Sequence, residues 1–324
     1  MNGFMRSAAG ILLMLSATAI FAQEYPNRPI RFIVPFPPGG GTDTVARLIA
    51  GPLSERLKQQ VIIDNRSGAN AIIGTELGAR APADGYTWVY CLPASVSVNP
   101  TLYRGLSYEP LRDFSPVIQL NSIALLLVVN NSLPVKTVPE LIALAKARPG
   151  QLNYASSGNG SAAHLAMALF SVMAGVSMVH VPYKGGAPAM TDLISGQVQI
   201  MSGPMIGAMP HVKSGKVRAI AVTTAKRAQG LPEIPAIGET LKGYESSIWH
   251  GVLMPKGAPA AVVRRVNAEL NGVLQVAEVR ERMATQGADP VGGTAEAFAA
   301  MLKADIARQS DLLRQIGLAG SASQ

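Results

Sequence analysis

The feature that most restricts what this chain can fold into is an alternation of short apolar runs with amphipathic stretches, from Ile30 to Ile316. Ile30–Phe36 reads as a strand, and Thr44–Gln59 follows with Val45, Leu48, Ile49, Leu53 and Leu57 near one helical face. The same pairing recurs down the chain. Further strands are expected at Val61–Ile63, Tyr86–Leu92, Leu125–Asn130, Leu152–Tyr154, Met178–Val181, Val198–Met201, Val217–Thr223 and Gly251–Met254. Helices are expected at Ile72–Ala81, Val138–Arg148, Ala162–Ala174, Pro188–Ser195, Met205–Lys213, Pro259–Ala277, Val279–Gln286 and Thr294–Ile316. Such alternation predicts α/β layers with mostly parallel strands. No Ser/Gly-rich or Pro-rich linker separates two consecutive domains, so the division is expected to be discontinuous. Leu125–Asn130 would carry the chain into a second lobe and Tyr244–Met254 would bring it back. That gives one lobe from residues 23–123 and 245–324, another from 124–244, and a two-strand hinge with a ligand cleft between them.

Composition removes several classes. With 48% apolar and 15% charged residues among 324, the chain can bury a substantial core and is not disordered by composition. The net charge of +8 is spread along the chain, without a Lys/Arg run or basic–aromatic interleaving, which argues against a nucleic-acid partner. Cys91 is the single cysteine, so neither an internal disulfide nor a CxxC motif can form; within Trp88–Leu92 it reads as a buried core thiol. Arg6, the apolar stretch Ala8–Phe21 and the small residues Ala17, Ala19 and Ala22 form a secretory signal pattern over residues 1–22. The apolar stretch is shorter than the ~20 residues a spanning helix needs. The mature chain is therefore expected to be exported to the periplasm, and with no cysteine near the cut, to carry no lipid anchor.

Two loops hold the chemistry. Pro35–Asp43, PFPPGGGTD, follows a strand and opens a helix. Gly39, Gly40 and Gly41 let backbone approach a ligand, the helix start offers unpaired N–H groups to an anion, and Thr42 or Asp43 can cap it. A nucleotide P-loop would need a lysine where Thr42 stands, and the GxGxxG spacing is absent. The second loop, Ala155–Ser161, ASSGNGS, again lies between strand and helix and presents Ser156, Ser157, Gly158 and Ser161. One loop per lobe, facing across a cleft, would hold a small anion at both ends and favour closure. Ser67–Asn70 either lines that cleft or merely connects, and Ser95 is a weaker candidate of the same kind. Each loop also has a plain reading as a capped turn without ligand.

Catalytic constellations do not assemble. His164, His180, His211 and His250 are dispersed, and neither HExxH nor GxSxG occurs. His164, close to Ser157 in sequence, reads as a structural or cleft-edge residue rather than a general base. No cofactor or metal is called for. An exported enzyme using the same cleft is the alternative to a binding protein; a structural or nucleic-acid-interaction protein ranks below both.

In order along the chain stand Tyr25-Pro26, Arg28-Pro29-Ile30, Pro35–Asp43 with Arg47, Asn65-Arg66, Gly68-Ala69 and Pro82–Thr87. Asn99-Pro100, Leu102-Tyr103, Asp113–Val117, Leu152–Gly160, His164–Ala166 and His180–Gly185 follow. Together these resemble the substrate-binding proteins of tripartite tricarboxylate transporters, the Bug family, over Tyr25 to about Ile316. The resemblance implies a type II periplasmic-binding fold and a small carboxylate, held partly through ordered waters. It implies a large and a small integral membrane subunit as partners; uptake or sensing rather than catalysis, and a monomer, are expected. It carries ligand-binding roles onto Phe36, Gly39, Gly40, Gly41 and Asp43, and onto Ser156, Ser157, Gly158 and Ser161. Two positions depart from the family pattern. Gly68–Gly74 reads GANAIIG rather than a glycine-rich GAGGNIG, and Gln199 and Gly203 stand where acids are frequent. A cleft without those acids disfavours an ammonium group, so a ligand lacking a free amine, such as a di- or tricarboxylate or an aromatic acid, is expected.

Overall fold

The computed structural model describes residues 25–228, 230–285 and 287–322; the leader expected over residues 1–22 lies outside them. Ten strands are present among the described residues. They are β1 (Ile30–Val34), β2 (Val61–Asn65), β3 (Thr87–Cys91), β4 (Phe114–Asn130), β5 (Asn153–Ser156), β6 (Val179–Pro182), β7 (Ile200–Pro204), β8 (Val217–Val222), β9 (Ser247–Pro255) and β10 (Ala288–Pro290). The principal helices are α1 (Gly41–Leu57), α2 (Ile72–Ala79), α3 (Val138–Ala147), α4 (Ala162–Ala174), α5 (Gly186–Ser195), α6 (Met205–Lys213), α7 (Ala260–Leu274), α8 (Ala277–Ala284) and α9 (Ala295–Gln315).

The strands form one continuous sheet in the order β2-β1-β3-β9-β4-β7-β5-β6, with β8 and β10 also paired to β4. β4 is its spine. Its first part, Phe114–Ala124, pairs antiparallel with β9. Its second, Leu125–Asn130, pairs antiparallel with β7 and with β8. The chain thus leaves the first lobe along β4 and returns along β9, the two-strand hinge. The expectation of mostly parallel strands is corrected by this route. β1 with β2 and β3, and β5 with β6 and β7, are parallel, but every pairing of β4 and β9 is antiparallel. The expected strands Leu125–Asn130 and Gly251–Met254 are the strongly apolar parts of 17-residue and 9-residue strands. Pro116, Gln119, Asn121 and Ser122 interrupt the apolar pattern of β4, and irregular register at Pro116/Ile118 and Gln119/Asn121 absorbs them.

Each lobe buries both faces of its sheet. In the first, Val45, Ile49 and Leu53 of α1 and Val266 and Leu270 of α7 cover Phe32, Trp88 and Val252. On the opposite face Phe298 and Leu302 of α9 cover Val89, Cys91 and Leu253, so Cys91 is a buried core thiol whose pKa burial pushes up. In the second lobe Leu141, Met167 and Phe170 pack on one face. Met190, Leu193 and Ala208 pack on the other. A smaller cluster joins the lobes, with Val98, Leu102, Leu312 and Leu313 on one side and Leu165 and Ala168 of α4 on the other. Fully buried side chains of this kind contribute roughly 1.5–3 kcal/mol each. The loops after the parallel strands β1, β3, β5, β6 and β7 leave from their carboxyl ends, where open α/β sheets place ligands.

Candidate functional site

The first loop is braced from inside. Gly40 stands at the N-cap of α1 without a side-chain cap, so neither Thr42 nor Asp43 caps the helix as the sequence suggested. Asp43, 2% exposed, turns back instead. Its Oδ2 accepts from Gly39 N at 2.9 Å and from Arg47 Nε at 2.9 Å, and its Oδ1 accepts from Asn65 Nδ2 at 2.9 Å. Asn65 Nδ2 also donates to the Phe36 carbonyl at 3.0 Å, and the Phe36 ring packs on the first-lobe core. Burial alone would raise the Asp43 pKa; the bonds from Arg47, Gly39 and Asn65 outweigh it and hold the carboxyl below its usual value. Asp43 and Phe36 therefore shape the loop from within, while the exposed backbone of Gly40 and Gly41 is what the loop offers outward.

The second loop rests on stacked aromatic rings. Ser161 caps α4 by accepting from His164 N at 3.2 Å, and Gly160 N donates to His164 Nδ1 at 3.1 Å. Ser156, fully buried, accepts from Gly158 N at 3.1 Å and is bonded to His180 Nε2 at 2.7 Å. The His164 and His180 rings stack at 3.8 Å, and Tyr154 stacks 5.0 Å from His180 and 6.3 Å from His164. Burial, and then the neighbouring His180, push the His164 pKa down to about 4, and burial lowers that of His180. Both rings are neutral at pH 7 and support the loop. Gly158 at φ 130° and Gly160 at φ 71° occupy backbone regions that side chains avoid, and a Cβ at Gly160 would lie 3.3 Å from Leu102 of the other lobe. The cap leaves the N–H groups of Ala162 and Ala163 without intrahelical partners.

A cavity of about 140 Å³ lies between the lobes. The first lobe contributes Asn70, Leu92, Pro93, Ala94, Val98 and Gln309, and the second contributes Gly160, Ser161, Ala162 and Leu165. Ser246, Ser247 and Ile248 of the hinge close it. No lining side chain carries a charge. The Ser67–Asn70 loop, left open from sequence, thus reaches the cleft. Ala69, Asn70 and Ala71 all have positive φ, at 45°, 51° and 72°, a run that costs energy and is held from outside. Asn99, fully buried, does this: Asn70 Nδ2 donates to Asn99 Oδ1, and Asn99 Nδ2 to the Asn70 carbonyl, both at 2.8 Å.

The sequence candidates divide accordingly. Ser161 lines the cleft cavity, and Ser156, Ser157 and Gly158 form the loop that leads to it. Gly39 and Asp43 line a different cavity of about 800 Å³, with Glu278, Val279 and Arg282 of α8. The two glycine-rich loops thus line separate cavities, and the first-lobe loop at the cleft is the Asn70 loop. Ser95 sits in the π-helical turn Ala94–Val98, fully buried, its hydroxyl donating to the Leu92 carbonyl at 3.1 Å; Ala94 reaches the cavity instead. The reading of Gln199 as a cleft position is corrected. It lies before β7, at the end away from the cleft, and its Oε1 accepts from Asn153 N at 3.0 Å. Gly203 lines a groove between α5 and α6. Asn99 entered the sequence reading only as a family landmark, and Ser246, Ser247 and Gln309 escaped it. Only Gln309 left a trace, as a polar residue in the buried stripe Leu302, Asp305, Gln309, Leu312 of α9.

Two α/β lobes joined by β4 and β9, with a small neutral cavity at the hinge, define a solute-binding architecture. Residues 45–318 match the family described as tripartite tricarboxylate transporter family receptor. The chain belongs to that family. It is 37% identical over 319 residues to Protein BugT of Bordetella pertussis, covering 97% of this chain and 96% of that one. The structure of Rpa4515 from R. palustris with adipate is similar with TM-score 0.74 and 39% identity, covering 91% of this chain and 99% of that one. MatC from Rhodopseudomonas palustris with bound malate is similar with TM-score 0.70 and 30% identity, covering 89% and 100%.

Proposed function

We propose that this chain is a periplasmic receptor that encloses a small carboxylate lacking a free amine, does not convert it, and presents it to integral membrane transporter subunits. The observation that carries the reading is the interlobe cavity. It joins the amino end of α4 to neutral polar side chains, a setting in which unpaired backbone N–H groups balance a carboxylate. An ammonium group would find no acidic side chain among the lining residues. Relatives with adipate and with malate support the ligand class. His164 and His180, the groups nearest to acid–base chemistry, are spent on the second loop, which favours binding over catalysis. The signal pattern over residues 1–22 supports export, and no helix among the described residues is long and apolar enough to cross a membrane.

The lobes divide at 123/124 and at 244/245, a reading supported by the pairing of Ala124 with Ser247. Rotation about β4 and β9 would bring the Gly40–Gly41 backbone toward the ligand, and the receptor works as a monomer. Isothermal titration with adipate, malate, succinate, benzoate and aspartate tests the reading. One carboxylate binds with unit stoichiometry, is recovered unchanged, and at 100 times its Kd adds about 2.7 kcal/mol of stability. Tight binding of aspartate with no response to the other acids, or steady turnover of a bound acid, overturns it.

A further inference from the structure

Gln309 projects from α9, a helix that belongs to neither glycine-rich loop, into the wall of the cleft cavity. It is 8% exposed, and its Oε1 is buried with no hydrogen-bond partner among the described residues. A buried acceptor left unmet is costly, so it needs a reason. Asp305, one turn earlier, is satisfied: its Oδ2 accepts from Ser97 Oγ at 2.6 Å and Trp249 Nε1 at 2.9 Å, and Arg308 bonds its Oδ1 at 2.5 Å, while Arg308 Nε is, like Gln309 Oε1, buried without a partner among the described residues. Of these two residues, Gln309 is the one that lines the cavity.

We infer that Gln309 is a specificity-determining residue of the binding site, whose Oε1 accepts a hydrogen bond from a hydroxyl group on the carboxylate ligand. The inference rests on the carboxylate-receptor reading above and adds to it the chemistry between the charged ends. Ionised carboxylate oxygens only accept, so they satisfy the N–H groups of α4 but leave Oε1 unmet. A hydroxyl both donates and accepts. With Asn70, Ser161, Ser246 and Ser247 in the same wall, the cavity holds further partners for such a group. A site built to bond a hydroxyl discriminates against the analogue lacking it, because its own buried polar group then stays unpaired.

The test compares two ligand pairs that differ by one hydroxyl, malate with succinate and 4-hydroxybenzoate with benzoate, on the full mature chain and on Gln309→Met. Methionine keeps the unbranched shape and packing and removes the acceptor. The parent protein prefers the hydroxylated member of the pair it binds by about 10-fold. In Gln309→Met that preference disappears through loss of affinity for the hydroxylated ligand, while the deoxy ligand changes less than about twofold and the unliganded Tm does not fall. Equal loss for both members overturns the inference, since it marks a structural role or an amide turned to donate to a carboxylate. An unchanged preference overturns it as well. In both cases the carboxylate-receptor reading stands; a parent protein that binds adipate but none of the four acids overturns the inference alone, and one that binds none of the five removes that reading as well.

Discussion

Replacing Asp43 with alanine tests whether the first loop is held by its own carboxylate. Asp43 is 2% exposed and gathers three hydrogen bonds of 2.9 Å from Gly39, Arg47 and Asn65. Bonds to a charged acceptor are worth roughly 1.5–3 kcal/mol each. Arg47 is 54% exposed and regains water when released, so its share is small. Asn65 keeps its bond to Phe36, and the freed Gly39 N–H reaches solvent from an exposed turn. The net loss for Asp43→Ala is therefore about 2–4 kcal/mol, close to two charged bonds less partial rehydration. For a chain of this size that lowers Tm by on the order of 5 °C. Asp43→Asn keeps an acceptor for one donor and sets its amide against another, so it falls between parent and alanine variant. Urea unfolding followed by far-ultraviolet circular dichroism gives the free energies, and titration with the bound carboxylate reports whether the loop still closes. A change below about 0.5 kcal/mol in Asp43→Ala, the range of ordinary surface substitutions, would refute the brace.

Acid should destabilise the fold through its buried histidines. The pKa of His164 and of His250 is pushed down to about 4, by burial in both and by His180 as well in His164, against about 6.5 in the unfolded chain. The unfolded state then binds more protons, so stability is complete above about pH 6.5 and is lost as pH falls toward 4, by up to about 3 kcal/mol per histidine. A flat urea-unfolding profile between pH 6.5 and 4.5 would contradict this. Leu165→Ala removes the α4 side of the interlobe cluster, where Leu165 is 3% exposed against Leu312 and Leu313. It should cost about 2–5 kcal/mol by chemical denaturation and alter ligand affinity, because the same residue lines the cleft; unaltered affinity would separate the cluster from the hinge.

Much of this architecture is written locally. The period of the apolar residues placed α4 and α6 to the residue, and the turns after β1 and β5 announced themselves through glycine and serine, because helix starts and left-handed turns restrict their own residue types. The family landmarks likewise marked the two-lobed plan. What the tertiary structure decided is which groups meet. Asp43 reads as a ligand contact or a cap until Asn65 and Gly39 are seen to converge on it. Gln309 and Asn70 lie far apart in sequence and share a cavity because α9 packs back across the hinge. Hydrophobic period is a property of neighbours along the chain, whereas the partner of a polar atom is fixed by strands and helices that arrive from elsewhere.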